Sequence, residues 1–429
     1  MDNLINFLLV PASWPTSGAW EGIIKWFAGV GSMALAIILL AVCIKLLILP
    51  LDFWQRSNMR KMNAQQAKIK PELDEIKQKY GNTEIAQQKT AEVYKKNKIN
   101  PAGSCGAMLA YMIVTFVVFI TLFNSLGVIS QTKINYEYYQ LETTYITVYN
   151  QNVTSTEYDT TVFESAEEYA KNVAQNEVAK KYDEIKESFL SIKNIWRADN
   201  WSSVFPNADE FISNTRTNFG IMNDNKSQFK GYVTLSTDLS EPYVDLAGNV
   251  YGVRNDDGST GPATLTINIS ETETKTYNVI YADAEEGKTA NELAIAKARD
   301  QFKTDFAVVT KGINDEYKGQ WNGYLVLIAL SGIITFLSQF LTNLGTKTKD
   351  KKGNDVKTAK PNPVMGIILA GVMILFTFNY TSAFALYIVT SNIVSILINI
   401  LINNIMNGLE NRKEKKNSKT VVADYVIKK

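Results

Sequence analysis

The stretch MALAIILLAVCIKLLILPL, residues 33–51, decides the fold, because it is apolar and long enough to cross a lipid bilayer as a helix. Lys45 is the only charged residue in it. A cation inside an apolar span is energetically costly and therefore marks a candidate functional site. Alternatively, Lys45 lies near enough to Leu51 for its ammonium group to reach the lipid headgroups, where it needs no function. The stretch by itself leaves both interpretations open.

Four more apolar segments follow along the chain, and together they predict an all-α polytopic membrane protein. The predicted spans are residues 28–51, 104–128, 322–344, 363–379 and 382–406. Only Asn379, Tyr380 and Thr381 separate the last two spans, which predicts a tight turn rather than one very long helix.

Basic residues orient these spans, because cytoplasmic loops carry an excess of Lys and Arg. Residues 52–100 contain 11 Lys and Arg, residues 345–363 contain 6, and the tail after Met406 contains 7. We therefore expect three cytoplasmic parts, namely a helical hairpin at 52–103, a basic loop at 345–362 and a basic tail at 407–429. A tryptophan-containing interfacial segment at 1–27 and a long insertion at 129–321 are then extracytoplasmic.

The long insertion is acidic, although the whole chain has a net charge of only +1. Residues 131–320 contain 18 Lys and Arg against 30 Asp and Glu, so they carry −12 and the rest of the chain carries +13. Helical patterns cover 160–193 and 289–318, while short alternating runs with turn residues between them occupy 229–281. The insertion is therefore predicted to be an α+β domain with an antiparallel sheet.

The predicted cytoplasmic hairpin consists of helices at 54–80 and 84–97. Apolar residues recur at helical spacing along the first of them, from Ile69 through Leu73 and Ile76 to Tyr80. This stripe predicts a surface that packs against another element or binds a partner. The alternative is a solvated linker.

The composition excludes several kinds of chemistry. The chain has no histidine, so the usual base at neutral pH and the commonest metal ligand are missing. Its two cysteines, Cys43 and Cys105, are too few for a structural zinc site of four thiolates. No catalytic motif is present. We therefore expect no catalytic residue, no cofactor and no metal, and a protein that is not an enzyme.

Polar residues recur within the apolar segments. The third segment contains Ser338 and Gln339, and the second contains Thr115. In the fifth, Asn392, Ser395 and Asn399 share one helix face at positions i, i+3 and i+7. Such residues often join helices to one another in lipid. Several polar faces together with Lys45 favour the alternative, a hydrated cavity in the helix bundle.

The order of motifs resembles the YidC/Oxa/Alb family of membrane-protein insertases, in its Gram-positive form with a large added insertion. The motifs are IKLLILPL at 44–51, KIKPELDEIKQKYG at 68–81, INPAGSC at 99–105, FLSIKNIWRADNW at 189–201, FLSQFL at 336–341 and LYIVTSN at 386–392. Two single residues depart from the family pattern: Lys45 stands where arginine is commoner, and Ile388 stands where tryptophan is frequent. The second apolar segment also lacks the usual Cys-Leu-Pro and Gln-x-Pro motifs.

The resemblance implies a five-helix core around a hydrophilic groove, with Lys45 as the groove cation that attracts acidic substrate residues. It implies that the basic hairpin captures the incoming chain, through Lys68, Lys70, Lys77 and Lys79. The expected partners are nascent membrane proteins and membrane lipid, with the ribosome and the Sec translocon as further candidates and no sequence-specific nucleic acid. The expected location is the bacterial plasma membrane.

Two other functions remain open at this point. A transporter or channel for a small anion would also use a cation within a span, although no inverted repeat is visible in the sequence. A receptor would use the acidic insertion to bind a ligand and the spans as an anchor.

Overall fold

A computed structural model describes residues 19–29, 31–97, 101–214, 220–221, 233–234, 242–268, 274–344, 347–349, 355–357 and 363–427. The chain forms two compact units. One consists mainly of Gly127–Tyr324, which we call the insertion unit, and the other consists of Gly22–Leu126 and Leu325–Lys429, which we call the helical unit.

Helices dominate the described residues. In chain order they are α1 (Ala19–Ala28), α2 (Met33–Tyr80), α3 (Glu84–Lys96), α4 (Pro101–Asn152), α5 (Ala166–Ile185), α6 (Ala208–Asn214), α7 (Ala290–Glu316), α8 (Val326–Leu344), α9 (Pro363–Asn379) and α10 (Ser382–Ile427). The strands are β1 (Gly220–Ile221), β2 (Val233–Thr234), β3 (Asn249–Gly252), β4 (Thr264–Asn268), β5 (Thr274–Tyr281), β6 (Lys347–Lys349) and β7 (Asp355–Lys357).

Three of the described helices are long and apolar enough to cross a membrane, and they lie at Met33–Met62, Gly106–Asn152 and Ser382–Leu409. Two shorter apolar helices lie at Val326–Leu341 and Gly366–Asn379. The protein is therefore a largely helical membrane protein. The turn predicted between the last two spans is confirmed, since α9 ends at Asn379 and α10 begins at Ser382.

In the helical unit, α8 packs against both α9 and α10, and α2 packs against α10 and α3. The contact between α8 and α9 is close. A Cβ atom on Gly332 would lie 2.6 Å from the Ile374 side chain, so any other residue there would force that side chain to shift. The Ser331 and Thr377 hydroxyls form a hydrogen bond of 3.1 Å in the same interface, where small and hydroxyl residues suit packing in lipid.

The first span differs from its predicted bounds at both ends. It does not begin at residue 28, because Gly31 adopts a φ of +107° and α2 starts only at Met33. It also does not stop before the hairpin, because α2 continues without a break through Pro50 and Pro71 to Tyr80. An interior proline costs a helix about 3 kcal/mol. Packing of Leu49 beside Pro50 and of Ile69 near Pro71 offsets that cost.

Helix α4 likewise extends well beyond the second predicted span, which ends at residue 128. Its continuation carries one apolar face, on which Ile134, Tyr138, Leu141 and Tyr145 are buried. These residues follow helical spacing, so the same helix supplies the core of the insertion unit. The third span also starts later than predicted, at Val326 instead of residue 322.

The core of the insertion unit is aromatic. Helices α5 and α7 pack together, and both begin with side-chain caps, at Ser165 and Thr289. The Tyr138 ring stacks on the Phe306 ring with a centroid distance of 4.7 Å. The Phe211 ring lies 5.0 Å from the Phe306 ring. The helical predictions in this region are correct within a few residues, except that residues 186–193 are not helical.

The sheet of the insertion unit is mixed, so the prediction of an antiparallel sheet was wrong. The strand order is β3-β5-β4, with β3 parallel and β4 antiparallel to β5. Alternation of side chains shows which residues share a face but carries no information about the direction of a neighbouring strand. Part of the predicted sheet, including residues 235–241, lies outside the described residues.

Candidate functional site

Lys45 lies in the apolar part of α2 and its side chain is partly buried. Within the described part of the chain, its ammonium group forms no hydrogen bond and no ion pair. Asp52 and Arg56 follow on the same helix face, seven and eleven residues later. They form an ion pair of 2.6 Å with each other, from Arg56 Nε to Asp52 Oδ1. Lys45 thus forms no ion pair with a described residue, although it lies within electrostatic range of Asp52 and Arg56, and sequence analysis alone could not establish this.

The part of α2 that follows Lys45 is fixed to α10. Leu49 and Phe53 pack against an apolar cluster formed by Ile398, Ile402 and Met406. Further along, the Arg60 guanidinium donates hydrogen bonds of 2.9 Å to Asn403 Oδ1 and Asn407 Oδ1. The planar guanidinium suits two acceptors spaced one helical turn apart. Sequence reasoning missed Arg60, and the pair Asn403 and Asn407 at i and i+4 was the signal that could have indicated it.

Several predicted groove residues bond within the helix bundle. Asn392 Nδ2 on α10 donates to Thr335 Oγ1 on α8 at 2.7 Å, which joins these two helices. The hydroxyl of Ser395 donates to the Ser391 carbonyl at 2.8 Å, one turn back on its own helix. The hydroxyl of Thr115 on α4 likewise donates to a backbone carbonyl one turn back on its own helix, at 2.7 Å. Of these three residues, Asn392 thus agrees with the helix-joining interpretation, whereas the bonds of Ser395 and Thr115 stay within their own helices.

The remaining predicted groove residues lie in the same interior. Ser338 on α8 and Asn399 on α10 are buried, and Gln339 on α8 is partly buried. No hydrogen bond links Lys45 to Ser338, Gln339 or Asn399 within the described residues. The structure thus brings the polar faces of α8 and α10 together. Lys45 lies on a third helix, α2, and forms no hydrogen bond with the described residues of those faces.

Helix α4 packs unevenly along its apolar part. From Gly106 to Ile120 only Ala107 is buried, and Met112 and Phe116 are 53% and 62% exposed. Towards the insertion, by contrast, Leu122 is buried and the Phe123 ring lies 5.0 Å from Phe384 of α10. The part of α4 nearest to the basic hairpin is therefore loosely packed against its neighbours.

The partly buried Tyr111 lies on this loosely packed part of α4, within electrostatic range of Asp52 and Arg56. A polar side chain of α4 thus lies near the charged face of α2 that includes Lys45.

The hairpin presents its four predicted capture lysines to solvent, namely Lys68, Lys70, Lys77 and Lys79. Its apolar stripe is not exposed. Ile69 is 1% exposed and packs with Val93 of α3, joined by Leu73, Ile76 and Tyr94. The stripe therefore closes the hairpin on itself, and lysines form its accessible surface.

The described residues contain no group of three or more Cys, Asp or Glu side chains that could hold a metal ion. The described side chains of the two apolar helices α2 and α4 include one free thiol, Cys43, which is partly buried.

The family model described as 60Kd inner membrane protein matches residues 25–201. A membrane protein insertase YidC of Fusobacterium nucleatum is 37% identical over 91 residues, which are 21% of this chain and 42% of the relative. Proteins of the same name from Jannaschia and Chlamydia caviae are 34% identical over 122 residues and 38% identical over 105 residues. These alignments cover 27% and 24% of this chain.

The chain thus spans about two fifths of the Fusobacterium relative, and the alignments cover 18% and 13% of the other two. No solved structure matches the chain. The fold and the unpaired cation define a helical, multi-pass membrane protein with a polar site inside its apolar helices. The matched part of the chain is similar to the family described as 60Kd inner membrane protein and to relatives named membrane protein insertase YidC, and these likenesses support the YidC/Oxa/Alb insertase family.

Proposed function

We propose that this protein is a membrane-protein insertase, which guides hydrophobic segments of nascent proteins into the bilayer through a hydrophilic groove. In this proposal the five apolar segments span a bacterial plasma membrane, with the N-terminus outside and the C-terminus in the cytoplasm. The protein acts as a chaperone-like machine and not as an enzyme. Its substrates are nascent membrane proteins, which it releases into the lipid bilayer.

The observation that carries the proposal is that Lys45, in the apolar part of α2, forms no ion pair within the described residues, together with the loose packing of the apolar part of α4. A carboxylate moving into hydrocarbon loses its hydration, which costs several kcal/mol or more unless a charge compensates it. At an effective dielectric constant near 20, a fixed cation at about 4 Å returns about 4 kcal/mol. Lys45 can therefore assist an acidic segment part-way across the bilayer and release it afterwards.

The exposed hairpin lysines support a role in capture. Lys68, Lys70, Lys77 and Lys79 lie on a structured hairpin instead of a flexible linker. Their charges would attract acidic segments of the emerging chain before these reach Lys45. The ribosome and the Sec translocon are candidate partners on the cytoplasmic side and in the membrane.

The test compares substrates in proteoliposomes that contain the purified protein. One substrate is a single-span protein with carboxylates in its translocated tail, and the other has the matching amides. We expect Lys45→Gln to slow insertion of the acidic substrate about tenfold or more, since a loss of ~1.4 kcal/mol suffices for that change. The amide substrate should insert at the wild-type rate, and Lys45→Arg should support both substrates.

The matched control is Lys61→Gln, which removes an exposed cation from the same helix α2. Equal insertion of both substrates by wild-type protein and Lys45→Gln would exclude the electrostatic role. The same proteoliposomes test the alternative function. An insertase should give no flux of small anions, whereas a transporter or channel should give flux that depends on Lys45.

A further inference from the structure

The insertion unit exposes large apolar side chains at one edge. Leu190 is 82% exposed, Trp201 57%, Trp321 46% and Tyr324 57%. Among the described residues of this unit, the other large hydrophobic side chains with comparable exposure are Tyr139, Ile146 and Val162. We call Leu190, Trp201, Trp321 and Tyr324 the aromatic edge. Clusters of exposed apolar residues on a folded unit usually mark an interaction surface.

The two segments of this edge are held together by buried hydrogen bonds. Asn322 Oδ1 accepts from the Asn194 backbone N–H at 2.8 Å, and Asn322 Nδ2 donates to the Asn194 carbonyl at 3.0 Å. The Asn322 N–H donates to the Ser202 carbonyl at 2.9 Å. These bonds set the Trp201 and Trp321 rings side by side, with centroids 6.5 Å apart. The edge is therefore built into the fold.

The backbone directs Leu190 outward. Phe189 and Ile192 form a β-bridge, and Leu190 lies at the tip of the turn between them with a φ of +52°. Leu325, the residue after Tyr324, has a φ of +62°. No other non-glycine residue in the described part of the chain has a positive φ. A large apolar side chain in this strained conformation, and exposed to water, indicates a function for its outward position.

The edge is tied closely to an apolar helix. Tyr324 precedes Val326, the first residue of α8, by two positions, and Trp321 precedes it by five. The aromatic edge therefore adjoins that helix in the sequence. In membrane proteins, tryptophan and tyrosine concentrate at the membrane–water interface, where their rings meet the lipid headgroups.

Two lysines accompany the aromatic edge, although the insertion as a whole is acidic. Lys193 lies over the Tyr317 ring and donates to Gln320 Oε1. Lys318 is exposed beside an open cleft of about 310 Å³ that Trp201, Tyr317 and Trp321 line. Neither lysine forms an ion pair with a described residue. Their charges are complementary to the phosphates of an anionic membrane surface.

We propose that the aromatic edge docks the insertion on the outer leaflet of the bilayer, with its rings at headgroup depth and with Lys193 and Lys318 beside lipid phosphates. This docking does not depend on the insertase activity. It would restrain the insertion next to the helix that follows it, whichever substrate the protein handles.

The test uses the full-length protein in lipid nanodiscs, with Cys43→Ser and Cys105→Ser as background. Leu190→Cys and Trp321→Cys place an environment-sensitive NBD label on the edge, and Val162→Cys places it on another exposed position of the same unit. We expect blue-shifted NBD emission at 190 and 321, and quenching there by lipids that carry a nitroxide near the headgroup. The label at 162 should keep the emission of a label in water.

The exposed Leu190 and Val162 side chains make these replacements compatible with folding. Water-like emission at all three positions would overturn the proposal and would leave a protein partner as the occupant. Equal quenching at all three would overturn it as well, since the edge would then have no special role. Adding phosphatidylglycerol should deepen the blue shift at 190, and Lys193→Gln with Lys318→Gln should abolish that increment. Persistence of the increment would exclude the two lysines.

Discussion

Two partly or fully buried lysines of this protein have opposite surroundings. Lys133 of the insertion unit is 7% exposed, forms an ion pair of 3.1 Å with Glu187 and lies over the Trp196 ring. Lys45 has no such partner among the described residues. A buried charge that is paired contributes to a fold, whereas an unpaired one costs free energy and is retained for a function. The same residue type thus has a structural role in one unit and a candidate functional role in the other.

Glu137, one helical turn from Lys133, is the residue for which we predict a pH dependence. Burial, reinforced by the neighbouring Glu187 carboxylate, raises the pKa of Glu137 to about 8. Lys133, Arg197 and the amide of Asn194 oppose this shift without cancelling it. The folded unit therefore retains a proton that the unfolded chain releases near pH 4.5.

The stabilising effect of this proton is complete below about pH 4.5 and is lost as the pH rises towards 8. We expect the free energy of unfolding of the insertion unit to fall over this interval, by up to ~1.4 kcal/mol per pH unit from this group. Hydrogen exchange of peptides from α5 and α7 in the full-length protein measures the change. Glu137→Gln should weaken the dependence of the free energy of unfolding on pH. Some dependence should remain, because burial also raises the pKa of Glu142, to about 7.

The control is Glu157→Gln, which changes an exposed carboxylate of the same unit. Its profile should follow that of the wild type. A Glu137→Gln protein with an unchanged pH profile would show that Glu137 does not hold the proton.

At the level of elements, the long helices α2 and α4 each continue from an apolar part into a more polar part of the protein. Helix α2 begins in the apolar part, passes Lys45 and continues into the hairpin, while α4 leaves its apolar part and enters the core of the insertion unit. The hairpin lysines and Lys45 therefore lie on one continuous helix, from which Pro50 and Pro71 each remove a backbone hydrogen bond.

Ile69 is the residue on which the hairpin depends. It is 1% exposed between α2 and α3, and we expect Ile69→Ala to destabilise the hairpin by about 2–4 kcal/mol. The result should be faster hydrogen exchange in Glu84–Lys96. Ile85→Ala, which changes an isoleucine of α3 that is 54% exposed, is the matched control. Similar exchange in the two variants would contradict the packing of Ile69 against α3.

For the whole molecule, charge and hydropathy divide the chain in the same way. The acidic insertion and the basic polar stretches are separated by apolar helices, as expected of a protein whose two polar sides lie across a membrane. The predicted topology places the insertion outside and the hairpin inside.

A membrane-impermeant thiol reagent tests this topology in intact cells that produce the variants in the Cys43→Ser and Cys105→Ser background. Val162→Cys, at an exposed position of the insertion, should react without permeabilisation. Gln87→Cys, at an exposed position of α3, should react only after the membrane is opened. The reverse pattern would invert the topology, and reaction of both in intact cells would exclude a membrane between them.

Some parts of the fold were open to prediction because their signal is local. Apolar segments located α8, α9, the start of α10 and the turn between the last two, and the helical pattern at 289–318 located α7. The ends of α2 and α4 were not predictable in the same way. Both helices continue past a change from apolar to polar sequence, because packing against distant residues stabilises the continuation.

The candidate site was predictable only in part, for a similar reason. Sequence indicated Lys45 and the polar face of α10, since both are visible within one helix. It did not indicate that Asn392 donates to Thr335, 57 residues away, or that Arg60 reaches Asn403, 343 residues away. Such partners are set by which helices pack together.

The sequence by itself determined the apolar helices, the acidic insertion between them, the basic hairpin and the position of one cation in an apolar stretch. These features depend on residues within a few turns of each other, so composition and periodicity are sufficient. Only the tertiary structure decided that Lys45 is unpaired while Lys133 is paired, that β3 lies parallel to β5, and that Asn194 and Asn322 join segments 128 residues apart. Each of these depends on contacts between distant parts of the chain, which packing selects and local pattern does not encode.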